Sequence, residues 1–182
     1  MKKVFGEDYF ELSKVLNPLR DDGKKVVMCS GTFDLLHLGH MRLLAAAKTH
    51  GDILVAVVKS DNAATLKKED PPVLNQVIRM ETVSCVESVD FVIMADYDIR
   101  RMVDFKFENS SAFQWLNMFS PVVEAVRPDI FVHEDNPFLV DARRQLFDRY
   151  GVHGVIQPRT EGISTTEIID KIKTRLLQQM QR

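Results

Sequence analysis

"KVVMCSGTFDLLHLGHMRLLAAAK", residues 25–48, decides how the rest of the chain is read. Residues 25–30 are an apolar run rich in valine, a strand signature, and "MRLLAAAK" (41–48) has the composition of a strong helix former. Between them "GTFDLLHLGH" (31–40) places two glycines and two histidines where strand turns into helix. A strand, a glycine-bearing turn and a helix in succession begin a βαβ unit of a parallel sheet.

The same alternation continues along the chain. Further strands are predicted at 52–58, 90–94, 129–133 and 153–157, with helices at about 38–50, 74–88, 115–126 and 138–150 and a fifth after the last strand. The fold class is therefore α/β, a Rossmann-like, doubly wound, five-stranded parallel sheet in a single domain over 25–182. Residues 1–24 read as an N-terminal helical extension, interrupted near Pro18. The fifth helix sets Ile168, Ile172 and Leu176 at spacing four, with Ile169 and Leu177 beside them, which predicts a face packed on the sheet. One stretch breaks the rhythm: an insertion over about 95–117, longer than usual connections and holding the only tryptophan, Trp115. Its aromatics either cover the sheet or a neighbouring subunit, or form a wall over a substrate.

Composition narrows the function classes. With 182 residues and 45% hydrophobic content the chain can bury one sizeable core. Its 24 basic and 26 acidic residues leave a net charge of -2, so no overall field suits nucleic acid or a membrane surface, and any anion site must be local. Cys29 and Cys85 fall on separate predicted elements, giving neither a disulfide framework nor a metal spacing. His50, His133 and His153 stand in no ligand spacing with His37 and His40, so no metal site in the protein is expected. The N-terminus lacks the apolar core of a signal peptide and no run is long enough to cross a bilayer, which reads as cytoplasmic.

In an open parallel sheet the ligand lies beyond the carboxyl ends of the strands, where strand order reverses, commonly beside the first strand. At that place Gly31 lets the chain turn, Gly39 lets a ligand approach the helix start, and free N–H groups with the helix dipole favour an anion. His37 and His40 add directed donors, and phosphate is the natural guest. A second stretch, "RTEGISTTEII" (159–169), follows the last strand. Ser164 and Glu167 form a capping box, while Arg159, the turn at Gly162 and three successive hydroxyls suit a polyphosphate. The two stretches are predicted to converge on one triphosphate.

Through the HxGH element at 37–40 and "RTEGISTT" at 159–166, the chain resembles, from Lys25 to Leu177, the cytidylyltransferase-like family of the nucleotidyltransferase superfamily. Glycerol-3-phosphate, phosphocholine and phosphoethanolamine cytidylyltransferases are similar, as is the adenylyltransferase domain of the ADP-heptose type. The resemblance implies transfer of a nucleotidyl group from a nucleoside triphosphate with Mg²⁺ to a small phosphorylated acceptor, with release of pyrophosphate. It assigns catalysis to His37, His40, Lys67 (with Lys68 its rival) and Arg159. Nucleotide binding falls to Thr32, Phe33, Asp34, Gly39, Arg79, Asp135, Gly162, Ile163, Ser164 and Thr165. A homodimer is implied, with no nucleic-acid or membrane partner. The "RTEGISTT" wording favours CTP; "LKKEDPPVLN" and "RMETV" resemble the ADP-heptose type and favour ATP with a sugar-phosphate acceptor. Where relatives carry a glycine-rich "GGD"-type turn, this chain has "HEDNP" (133–137): Asp135 keeps the aspartate's place, but His133 and Glu134 replace small residues. A nucleotide-binding regulatory module without turnover is the alternative from another class.

Overall fold

The computed structural model describes residues 3–66, 70–97 and 111–180. Six strands form one parallel sheet: β1 (Val4–Gly6), β2 (Val26–Gly31), β3 (Ile53–Lys59), β4 (Phe91–Ala95), β5 (Ile130–His133) and β6 (His153–Ile156), in the order β1-β4-β3-β2-β5-β6. Sequence reasoning predicted five. The sixth, β1, lies in the extension read as helical and pairs with β4 through Val4 and Val92. Three residues are too few to show an alternation, so only the exposed edge of β4 could have announced it.

The alternation of side chains along the strands divides the core in two. Val26, Met28, Val55, Val57 and Ile93 face one side, where α1 (Tyr9–Asp21), α5 (Ser111–Val126) and α6 (Val140–Tyr150) cover them. Val27, Cys29, Leu54, Ala56, Val58 and Val92 face the other, under α2 (Leu38–Lys48) and α4 (Gln76–Ser84). Each valine, leucine, isoleucine or methionine among them, taken fully out of water, contributes about 1.5–3 kcal/mol. Cys29 is among them, and burial pushes its thiol up to about 12, well away from reactivity.

Two helices depart from expectation. α1 does not stop near Pro18 but runs through it to Asp21, because Leu12 and Leu16 are fully buried and the Ser13 hydroxyl donates to Ala125 O at 2.9 Å. Tertiary anchoring there outweighs the local proline penalty of about 3 kcal/mol. α7 (Thr165–Met180) has its predicted apolar stripe, yet none of its residues is buried, and Ile172, Leu176 and Leu177 are each more than half exposed. The helix starts at the mouth of the sheet rather than over its face, so its stripe runs past the core. A short α3 (Asp61–Thr65), capped by Ser60, was not foreseen. Among the described residues no helix is long and apolar enough to cross a membrane.

Strand order reverses between β2 and β5: from β2 the chain steps out through β3 to β4, then returns to the far side of β2 for β5 and β6. The carboxyl ends of those two strands are therefore the place to look for a ligand.

Candidate active site

A cavity of about 780 Å³ opens there, lined by residues of the turn after β2, the turn after β5, the segment after β6 and the start of α7. The turn after β2 is tightly specified. A Cβ at Gly31 would stand 3.0 Å from the Phe33 ring, so any larger residue there would press on that ring and oblige it to shift. Phe33 and Leu35 both take positive φ, 55° and 43°, a conformation that costs a side-chain-bearing residue about 1 kcal/mol. Asp34, between them, is buried and holds the loop together: its carboxylate accepts from the backbone N–H of Val73 (2.8 Å) and Leu74 (3.0 Å) as well as Leu35.

His37 is the N-cap of α2, where its Nδ1 accepts from Gly39 N–H at 3.1 Å. That bond leaves the ring hydrogen on Nε2, the free donor. The His37 and His40 rings stack with centroids 3.8 Å apart, and the Phe33 ring meets His40 edge-on at 5.4 Å. Burial lowers the pKa of His37, with the Arg159 guanidinium pushing the same way. His40 is lowered further, to about 4, by burial first and by His37 second, and its Nδ1 is buried without a partner. Both imidazoles are thus neutral donors at neutral pH, while Gly39 keeps the helix start open between them and Ile163.

The second stretch arrives at the same mouth. The Thr165 hydroxyl donates to Asp34 O at 2.8 Å, and a Cβ at Gly39 would lie 3.6 Å from Ile163 Cγ2. Gly162 turns the chain with φ +75°, and Ser164 Oγ caps α7 by accepting from Glu167 N–H at 3.1 Å. Arg159, exposed, pairs with Glu134 at 3.5 Å across the cleft. Of the residues predicted from sequence, Thr32, Phe33, Asp34, His37, Gly39, His40, Asp135, Arg159, Ile163, Ser164 and Thr165 all line the one cavity. Lys67 and its rival Lys68 lie outside the described residues, though Asp70 and Pro71 just beyond them reach the cavity wall.

Arg79 stands apart from these. Expected to hold phosphate, it is 0% exposed and does not line the cavity. Its Nε donates to Leu74 O at 2.9 Å, one Nη donates to Thr32 O, and the other pairs with Asp61 at 2.7 Å. These three bonds occupy the fork and fasten α4 to the back of the first loop, making it a positioning residue. Conversely, Trp115, Arg143 and Lys173 line the cavity although sequence reasoning gave them no role in binding the nucleotide. The signal for Arg143 was there: it falls four residues after Leu139 and three before Leu146, both buried, which puts a cation in an apolar stripe. Lys173 continues a cavity-facing row on α7 with Thr166, Ile169 and Asp170.

Comparison with known proteins gives the family and the fold. A family model described as cytidylyltransferase-like matches residues 28–171. The bifunctional protein HldE of Desulfatibacillum aliphaticivorans is 30% identical over 90% of this chain, which is 30% of that protein. That of Sodalis glossinidius (strain morsitans) is 32% identical over 91% of this chain and 31% of its own length. The chain thus spans between about a fifth and three tenths of the length of the curated relatives it matches. Among solved structures, the lipopolysaccharide core biosynthesis protein of Thermoplasma volcanium GSS1 aligns with TM-score 0.55 at 26% identity, covering 76% of this chain and 98% of that one. Pantoate-beta-alanine ligase of Francisella tularensis, complexed with beta-gamma ATP and beta-alanine, shares the fold at TM-score 0.67 and 15% identity, over 92% of this chain and 76% of the other.

Proposed function

The chain belongs to the cytidylyltransferase-like family, and on that premise we propose that it transfers a nucleotidyl group from a nucleoside triphosphate, ATP ahead of CTP, to a small phosphorylated sugar, releasing pyrophosphate. The observation that carries the reading is the meeting of residues 37–40 with 159–165 at one cavity, sealed by the bond from Thr165 to Asp34. An acceptor phosphate oxygen attacks the α-phosphorus in line, the bond from that phosphorus to the bridging oxygen breaks, and pyrophosphate leaves. No group on this chain needs to become covalently attached, so catalysis is positioning and charge stabilisation. His37 and His40 supply neutral N–H donors to oxygens that gain charge in the transition state. The positive charge comes from Arg159 and the amino ends of α2 and α7. Mg²⁺ enters as part of the substrate, bound to the triphosphate; among the described residues no cluster of acidic, histidine and cysteine side chains would hold a resident ion. On the same reading Lys67 reaches the α-phosphate.

The preference for ATP reverses the CTP expectation drawn from "RTEGISTT". Supporting it are the HldE relatives and the likeness of "LKKEDPPVLN" and "RMETV" to the ADP-heptose type. A sugar-phosphate acceptor fits the neighbour described as a lipopolysaccharide core biosynthesis protein. Thermal shifts with each Mg-nucleotide give the test of the base: ATP is expected to stabilise most, and a larger shift with CTP would restore the cytidylyl reading. Pyrophosphate release over a panel of sugar phosphates tests turnover. Nucleotide binding without release for any acceptor would favour the regulatory module. Arg159→Ala should weaken triphosphate binding more than it slows turnover, and an unaltered nucleotide affinity would remove its role.

A further inference from the structure

The imidazoles stand on the α2 side of the sheet; the cavity's other wall is built by α5 and α6, whose residues pack on the opposite face. In that wall Arg143 is only 9% exposed, with its guanidinium carbon 6.0 Å from the centroid of the Trp115 ring and its Nε buried without a partner. Trp115 is itself fixed from behind, its ring 4.8 Å from that of Phe119 and 6.1 Å from that of Phe131. A cation largely removed from water is costly unless an anion meets it. Stacking on an aromatic face returns only about 0.5–2 kcal/mol. Asp135 and Glu134 act on the guanidinium electrostatically, but both are exposed at the rim and Glu134 already pairs with Arg159. The cavity, about 780 Å³, lies in the upper part of the range that encloses one drug-sized ligand, which suits a nucleotide with a small second substrate.

We propose that Arg143, backed by the Trp115 ring, anchors the phosphate group of the acceptor in a second anion subsite facing the nucleotide cradle. This assignment rests on the nucleotidyl-transfer reading. The rigid fork offers paired donors to two phosphate oxygens, and the tryptophan face beside it gives an apolar surface for the adjoining sugar ring. Acceptors without an anionic group would leave the guanidinium unmet and would be rejected. Arg143 is on the substrate-contacting surface rather than behind it, unlike Arg79.

Trp115 is the only tryptophan in the chain, so its emission reports this wall alone. Native protein, Arg143→Lys and Arg143→Met are first saturated with Mg²⁺ and a non-hydrolysable ATP analogue, then titrated with glucose 1-phosphate, inorganic phosphate and glucose. The expected result is a saturable emission change with both phosphate probes and none with glucose. The midpoint should move at least tenfold in Arg143→Met and less in Arg143→Lys, with the analogue's thermal shift unchanged in all three. Equal midpoints in native and variant proteins, or no native response to either phosphate probe, would overturn the subsite. A merely structural Arg143 would lower the melting temperature and leave the midpoints equal. Should Arg143→Met fail to fold, a midpoint for Arg143→Lys within error of native overturns the proposal. An absent analogue shift in the native protein would instead sink the nucleotide reading, and the subsite with it, before any probe is added.

Discussion

His40 is kept uncharged at neutral pH by its surroundings, and two outcomes follow from that single fact. Replacing it with alanine removes a transition-state donor, so turnover should fall by roughly 10²- to 10³-fold while nucleotide affinity changes little; steady-state kinetics with saturating nucleotide gives the comparison. The second concerns stability. In the unfolded chain the imidazole takes its proton near 6.5, in the folded chain only near 4, so between those values the unfolded state binds more protons. The stabilisation is complete above about 6.5 and is lost as pH falls towards 4. Urea midpoints at pH 7.5 and 5 should therefore differ more for the native protein than for His40→Gln, and parallel slopes would contradict the burial. The two histidines could be picked out of the sequence because glycine and a helix start surrounded them. Arg79 could not be placed from the sequence, since a basic residue on a helix after a strand reads the same whether it faces a ligand or plugs a loop from behind; its complete burial favours the second. Arg143 was legible as a charge among leucines, but nothing in the spacing said which cavity it would meet.

At the scale of elements, α4 owes its position to that buried arginine. Arg79→Met would strip Thr32 O and Leu74 O of their donor and leave Asp61 without its cation, holding only the Gln76 N–H, costing about 3 kcal/mol, the low end for a broken buried pair because Asp61 is partly open to water. Chemical denaturation measures it; a loss under 1 kcal/mol would mean that water replaces the fork. The loop at Thr32 should loosen with it, so nucleotide binding weakens although Arg79 does not line the cavity. Strands β2 to β5 were readable because each carries a run of buried apolar residues bounded by turn signals, whereas β6, with no buried residue, was readable only from Val155 and Ile156 and its place in the alternation. β1 was not, with three residues and no period, and α7 showed an apolar stripe whose packing depends on where the preceding turn releases the chain. Periodicity records that a face is apolar; it does not record what covers it.

For the whole molecule, the short strand at the amino end has a protective role. β1 is the edge of the sheet, and behind it every residue of β4 is buried. A chain lacking residues 1–24 would present β4 as a bare hydrophobic edge and lose the cover of Leu12 and Leu16, which invites strand-to-strand association. Light scattering should find it aggregated, and a monodisperse, soluble truncation would show that β4 has another shield. The strand order has a further consequence for how the protein comes into being. Val26 on β2 bonds to Asp129 beside β5 across 103 residues, and Asp34 meets Thr165 across 131. A nascent chain on the ribosome can assemble four neighbouring strands early, but it holds only half a mouth until the first turn of α7 has emerged. Affinity for substrate is then acquired late and in one step, and an unfinished polypeptide cannot sequester nucleotide it has no means to use.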